Sequence, residues 1–132
     1  MDEIQIAIRV DTDIVAARQS GRALAVKLGF SNTDATLIAT AISELARNII
    51  RYAIEGEIIL STVQKGGNFG IVVVARDKGP GIVNIEQAMI MGYSTSGSLG
   101  MGLPGVNRLM DEFEIDSRPG SGTRVMIKKW KR

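Results

Sequence analysis

Neither cysteine nor histidine occurs in this chain. Without cysteine there are no disulfides, no thiolate metal sites and no cysteine nucleophile. Without histidine a Ser-His-Asp triad, a His-ligated zinc and a phosphoacceptor histidine within the chain are all excluded. Charge of one sign is nearly absent as a surplus: 16 basic against 14 acidic residues leave +2, which argues against a general nucleic-acid role. Long apolar runs are missing as well. The most apolar stretch, Ile71–Ala75, is far short of the ~20 residues that span a bilayer. Met1-Asp2-Glu3 lacks the basic start and apolar stretch of a secretory signal. The expectation is a soluble, cytoplasmic chain with no membrane or nucleic-acid partner. Its chemistry must rest on carboxylates, amides, hydroxyls, Lys or Arg, backbone N–H groups, or a bound cofactor.

What is present is globular: 45% hydrophobic and 23% charged residues in 132 positions, enough for one domain over 1–132 with a core of its own. The one basic cluster is Lys128, Lys129, Lys131 and Arg132 around Trp130. It reads as a solvated strand end whose lysines discourage edge pairing, or as a docking patch.

Residues 4–10 alternate in the period of a half-buried strand. Asp11-Thr12-Asp13 offers cap oxygens for a helix from Ile14 to Leu28, which Gly29 ends. Ser31-Asn32-Thr33-Asp34 caps a longer helix, about Asp34 to Ala53, with Leu37, Ile38, Ala41, Ile42, Leu45, Ala46, Ile49 and Ile50 as its apolar stripe. Two strands, 57–64 and 69–76, flank the turn Lys65-Gly66-Gly67-Asn68, and the second is apolar enough on both faces to be central. From Gly79 to Gly105 seven glycines fall in 27 positions, around a short helical candidate near Ile85 to Met91; so Gly-rich a stretch in a small domain is usually functional. Leu103-Pro104 opens a helix to about Glu112, and strands near 113–117 and 123–130 close the chain. This order does not fit βαβ alternation. It predicts an α+β two-layer sandwich, a mixed, mostly antiparallel sheet with helices on one face.

Four blocks could carry chemistry. Glu44 and Asn48 sit at i and i+4 in the long helix, between Thr40 and Arg51, on a polar face opposite the stripe. Such a face is ordinarily solvated; a carboxylate beside an amide could also be a general base and an oxygen ligand for magnesium. Asp77-Lys78-Gly79-Pro80-Gly81 reads as a turn, or as a carboxylate that accepts from an exocyclic amine while glycines let a flat ligand approach. Gly97-Ser98-Leu99-Gly100-Met101-Gly102-Leu103-Pro104 brings exposed N–H groups to a helix N-terminus, suited to phosphate. It is neither a Walker A nor a Rossmann sequence. Gly120-Ser121-Gly122-Thr123 alone is a hairpin turn. The residues of a conventional protein kinase, His-Arg-Asp and Asp-Phe-Gly, do not occur.

Taken in order, Glu44…Asn48, Asp77-x-Gly79-x-Gly81, Gly100-x-Gly102 and Gly120-x-Gly122-Thr123 resemble the N, G1, G2 and G3 boxes of the ATP-binding GHKL superfamily. Within it, Asp13-Ile14-Val15-Ala16-Ala17-Arg18, Ser43-Glu44-Leu45-Ala46-Arg47-Asn48, Tyr93-Ser94-Thr95-Ser96-Gly97, Gly102-Leu103-Pro104-Gly105-Val106 and Arg108-Leu109-Met110-Asp111-Glu112-Phe113 are similar to the serine/threonine switch kinases of bacterial partner switching. That resemblance implies the Bergerat-type ATP fold, with a lid over about 83–101. It also implies ATP and Mg²⁺ as cofactors, STAS-domain substrates and scaffolds, and a PP2C-type phosphatase as a bound partner. A sigma factor is the partner of the anti-sigma cousins. By the same resemblance Asn48 holds Mg²⁺, Asp77 contacts the adenine amine with Thr123 beside it, and Gly79 and Gly81 line the base pocket. Gly100 and Gly102, followed by Leu103, cradle phosphate, and Glu44 orients or deprotonates the incoming hydroxyl. Residues 79–107 contain no Lys or Arg. Arg47, Arg51 and Arg108 are therefore the candidate cations for the γ-phosphate.

Overall fold

A computed structural model of the chain describes residues 3–53, 55–79, 102–118 and 120–132. The elements are β1 (Ile4–Ile8), α1 (Asp11–Lys27), α2 (Asn32–Tyr52), β2 (Gly56–Lys65), β3 (Asn68–Asp77), α3 (Gly102–Leu109), β4 (Glu112–Arg118) and β5 (Gly122–Trp130). The strands pair in the order β1-β2-β3-β5-β4, and all four pairings are antiparallel. The helical candidate at 85–91 and the lid at 83–101 lie outside the described residues.

Alternation decides which residues face the helices. Ile58 and Leu60 of β2, Ile71, Val73 and Ala75 of β3, and Val125 and Ile127 of β5 are buried and share one core with Ile38, Ile42, Leu45 and Ile49 of α2. Each of the Val, Leu and Ile side chains contributes about 1.5–3 kcal/mol by leaving water. With polar positions alternating on the other face, for example Glu57, Arg76, Arg124 and Asp116 in one cross-strand row, the result is the α+β two-layer arrangement with helices over one face of the sheet.

Several helix ends shift from the expected ones: α2 opens at Asn32 rather than Asp34, and α3 ends at Leu109 rather than about Glu112, which opens β4 instead. Ser31 Oγ accepts the Asp34 N–H at 3.0 Å, so α2 starts at Asn32. Helix α1 starts at Asp11 rather than Ile14, because Asp13 caps from inside the first turn: its Oδ2 accepts the N–H groups of Arg9 (2.9 Å) and Val10 (3.1 Å). Those two bonds hold the Asp13 carboxyl below its ordinary range. Gly29 follows α1 at φ +91°, the left-handed residue that ends the helix.

Two expectations are corrected. Helix α2 is buried on every side over Ala41–Ala46, Ser43 and Glu44 included, at 7% and 4% exposure. Glu44 is therefore not on a solvated face. Helix periodicity scores a polar stripe as solvent-facing, but α3, far along the chain, packs on α2 and covers it. The second correction concerns the C-terminal lysines. β5 lies between β3 and β4 rather than at an edge, and Lys129 is 8% exposed. Its Nζ donates to the Leu109 carbonyl at 3.0 Å, closing the C-terminal end of α3. Lys128 lies over the Trp130 ring, 5.6 Å from its centroid.

Among the described residues no helix is long and apolar enough to cross a membrane.

Candidate nucleotide site

Helix α2 is the rail on which the boxes are mounted. At its middle, Glu44 Oε2 accepts the Gly102 N–H at 3.3 Å, joining residues 58 apart in sequence. Gly102 opens α3 with φ +66°, a conformation open to glycine and strained for other residues. At its C-terminal end α2 meets Gly79: a Cβ there would lie 2.9 Å from the Tyr52 carbonyl oxygen and 2.8 Å from Ala53 Cβ. Between these points, Ile49 presses on Gly56, where a Cβ would come within 2.9 Å of its Cγ2 and 3.0 Å of Asp77 Cβ. From Glu44 to Tyr52 is eight residues, about 12 Å of helix. Asp77-x-Gly79 and the Gly102 turn are thus docked on one helix and separated along it.

Burying the Glu44 carboxylate demands partners. Its Oε1 pairs with Arg47 NH1 one turn on, and its Oε2 takes the Gly102 amide. The Glu44 side chain is 5% exposed and that of Arg47 36%. A carboxylate has about four acceptor positions, so acceptor capacity remains beyond these two donors.

Asp77 ends β3, in register with Gly56 on one side and Thr123 on the other. Register partners share a face, so the Asp77 carboxylate and the Thr123 hydroxyl stand side by side at the sheet end. Asp77 Oδ1 accepts the Gly79 N–H at 2.8 Å, fixing the turn after the strand. Thr123 Oγ1 lies 2.8 Å from Ser117 Oγ, which also donates to the Gly122 carbonyl at 3.2 Å. Asn48, one turn after Glu44, is half-buried. Its amide forms no hydrogen bond among the described residues.

The structure thus brings Glu44, Arg47 and Gly102 into contact, and sets Asp77 beside Thr123. Leu103 is 7% exposed and belongs to the core. Arg51 is half-buried and Arg108 exposed. Gly81 and Gly100 lie outside the described residues. Gly79 and Gly122 serve close backbone packing: the space a Cβ would need is filled by Tyr52–Ala53 and by Asp77–Lys78. Sequence reasoning singled out neither Gly56 nor Ser117. Gly56 opening the strand opposite Asp77 was the available signal; Ser117 had none. A hollow of about 170 Å³ at this sheet end is lined by Asp77, Thr123 and Gly122 together with Arg76, Asp116 and Arg124 of the outer row. It is smaller than a nucleotide needs.

The donor set fits a nucleotide. Asp77 keeps acceptor capacity for an exocyclic amine, whereas the Gly102 N–H at the start of α3 is already donated to Glu44. Among the described residues no three His, Asp or Glu side chains cluster as a metal cage. A magnesium ion here would take few protein oxygens, as is usual when phosphates supply the rest.

Residues 33–132 match the family of histidine kinase-, DNA gyrase B-, and HSP90-like ATPases. Over 131 residues the chain is 51% identical to the serine/threonine-protein kinase RsbT of Bacillus subtilis, covering 99% of this chain and 98% of that one. It is 41% identical over 97 residues to the anti-sigma F factor of Clostridium beijerinckii, covering 70% of this chain and 68% of the relative. The crystal structure of the RsbU and RsbW domains of a Mycobacterium tuberculosis protein superposes with a TM-score of 0.67 at 17% identity. All of this chain and 33% of that one are covered, and the likeness is one of fold. The chain belongs to the GHKL ATPase family and, within it, to the RsbT-type serine/threonine-protein kinases.

Proposed function

We propose that the chain uses ATP and Mg²⁺ to phosphorylate a serine or threonine of a STAS-domain protein, and then binds a PP2C-type phosphatase. The observation that carries the kinase reading is Glu44: a buried carboxylate, paired with Arg47 and bonded to the turn that opens α3.

In this reading Asp77 accepts a hydrogen bond from the adenine amine, and Thr123 stands at the same edge. The amide oxygen of Asn48 would hold Mg²⁺, which would supply neutralisation of phosphate charge. Glu44 receives the proton of the Ser or Thr hydroxyl while its oxygen bonds to the γ-phosphorus and the bond to the ADP oxygen breaks. Positioning and charge neutralisation outweigh proton abstraction, because the transition state is loose.

The test is single-turnover transfer from labelled ATP to purified STAS-domain proteins, followed by phosphosite mapping, for wild type and Glu44→Gln. The variant keeps an acceptor for Gly102 but loses the charge. Transfer should slow by ~10²-fold or more, with ATP affinity close to wild type. No transfer by wild type sinks the reading.

The anti-sigma F relatives favour a second reading, capture of a sigma subunit with little catalysis. Under it, Glu44→Gln binds its partner as wild type does and neither protein transfers phosphate.

A further inference from the structure

We propose that Arg47 is the positioning residue for Glu44, fixing the carboxylate between its own guanidinium and the Gly102 amide. The inference rests on the kinase reading of Glu44. Three observations converge on it. The Glu44 side chain is 5% exposed, so it has little water to hold it in place. Its two oxygens are divided between two donors on different elements, Arg47 on α2 and Gly102 at the start of α3. Arg47 stands at i+3, with a side chain 36% exposed at the rim of the same contact.

The physical logic is one of orientation. Glutamate has three side-chain torsions, and a single 3.3 Å bond to Gly102 leaves the carboxylate free to rotate about it. A guanidinium pinning the other oxygen removes that freedom. It also sets an opposite charge beside the buried carboxylate, which would otherwise swing toward solvent. Arg47 therefore acts through Glu44, not on the nucleotide: it keeps the hydroxyl's proton acceptor aimed. Because Gly102 is held by the same carboxylate, Arg47 also stabilises the junction of α2 with α3.

Arg47→Met keeps much of the stem volume and removes the guanidinium; Arg47→Lys keeps the charge. Transfer from ATP to a STAS-domain acceptor at saturating ATP, ATP affinity by calorimetry, and the Gly102 amide resonance are measured on wild type, both variants, Glu44→Gln and the Glu44→Gln/Arg47→Met double variant. Arg47→Met should slow transfer ~10- to 100-fold and leave ATP affinity within about threefold. Arg47→Lys should recover most of the rate, and the double variant should be no slower than Glu44→Gln alone. The Gly102 amide should shift and exchange faster in Arg47→Met. If Arg47→Met does not fold, Arg47→Lys decides: a rate near wild type with an unmoved Gly102 amide supports the role, and a rate near that of Glu44→Gln overturns it.

Losses that multiply in the double variant, or weakened ATP binding with an unchanged saturated rate, overturn the positioning role and make Arg47 a phosphate contact. Wild type that transfers nothing overturns the kinase reading and this role with it. An unmoved Gly102 amide in folded Arg47→Met overturns the tether whatever the activity.

Discussion

Gly122 approaches Asp77 so closely that a Cβ on it would lie 2.1 Å from the Asp77 carbonyl oxygen. Its φ of +100° is also foreign to other residues. The last strand can therefore run beside β3 up to Thr123, the register partner of Asp77, only because residue 122 has no side chain. Gly122→Ala should push the β5 start away from Asp77 and cost at least about 2 kcal/mol. Chemical denaturation measures this, and ATP affinity should fall in the variant that remains folded. A midpoint equal to wild type would mean that the approach relaxes cheaply.

Asp77→Asn separates the structural duty of this residue from its proposed nucleotide duty. The amide oxygen can still accept the Gly79 N–H that Asp77 Oδ1 accepts at 2.8 Å, so the turn and the fold should survive. In the proposed arrangement what is lost is a charge-assisted bond to the adenine amine, worth about 1–3 kcal/mol. Calorimetry should show weaker ATP binding by roughly one to two orders of magnitude. Unchanged affinity removes Asp77 from the adenine edge.

Asn48→Ala tests the metal. With no acidic cluster to share the work among the described residues, one amide oxygen is the protein's direct hold on Mg²⁺ in the proposed arrangement. ATP binding without Mg²⁺ should be near wild type, whereas the tightening that Mg²⁺ brings should disappear. Titrations with and without Mg²⁺ read the difference, and a retained wild-type Mg²⁺ effect makes Asn48 a bystander on the helix.

Acid should loosen the C-terminal clasp first. Trp130, the single tryptophan, donates its N–H to Asp111 Oδ2 at 2.7 Å and its indole Nε1–H to Glu112 Oε2 at 3.0 Å. The Trp130 indole, then Lys128, holds the Glu112 carboxyl below its ordinary value of 4.5. At Asp111 burial works upward, but the Trp130 N–H and Arg132 outweigh it and the carboxyl lies below its ordinary 3.8. Both folded-state values are depressed, so the stabilisation is complete above the ordinary values and is lost as pH falls through the lowered ones. Trp130 emission should stay constant above the ordinary value of 4.5 and change only as pH falls below it. A change centred above pH 5 would assign the clasp to other groups.

Much of this molecule was legible in the residues because the relevant physics is local. Alternation marked the strands, the Ser31 cap and the α2 stripe marked the long helix, and Gly66-Gly67 marked the hairpin. The boxes at Glu44…Asn48, Asp77-x-Gly79-x-Gly81, Gly100-x-Gly102 and Gly120-x-Gly122-Thr123 resembled those of the family that the chain proved to match. A backbone that must turn, cap or bury one face declares itself within a few positions. What crosses the chain does not. Lys129 looked like a solvated strand end and is a buried cap on α3, because only the sheet order puts β5 between two other strands. Glu44 looked solvent-facing and is 4% exposed, because α3 folds back over α2 to meet it. Periodicity reports how polar a face is, not what later covers it. The sequence by itself determined which residues could bind and react; the tertiary structure decided which are held, and by what. A buried charge takes its partners from wherever the fold delivers them: Arg47 from one turn away, Gly102 from 58 residues away.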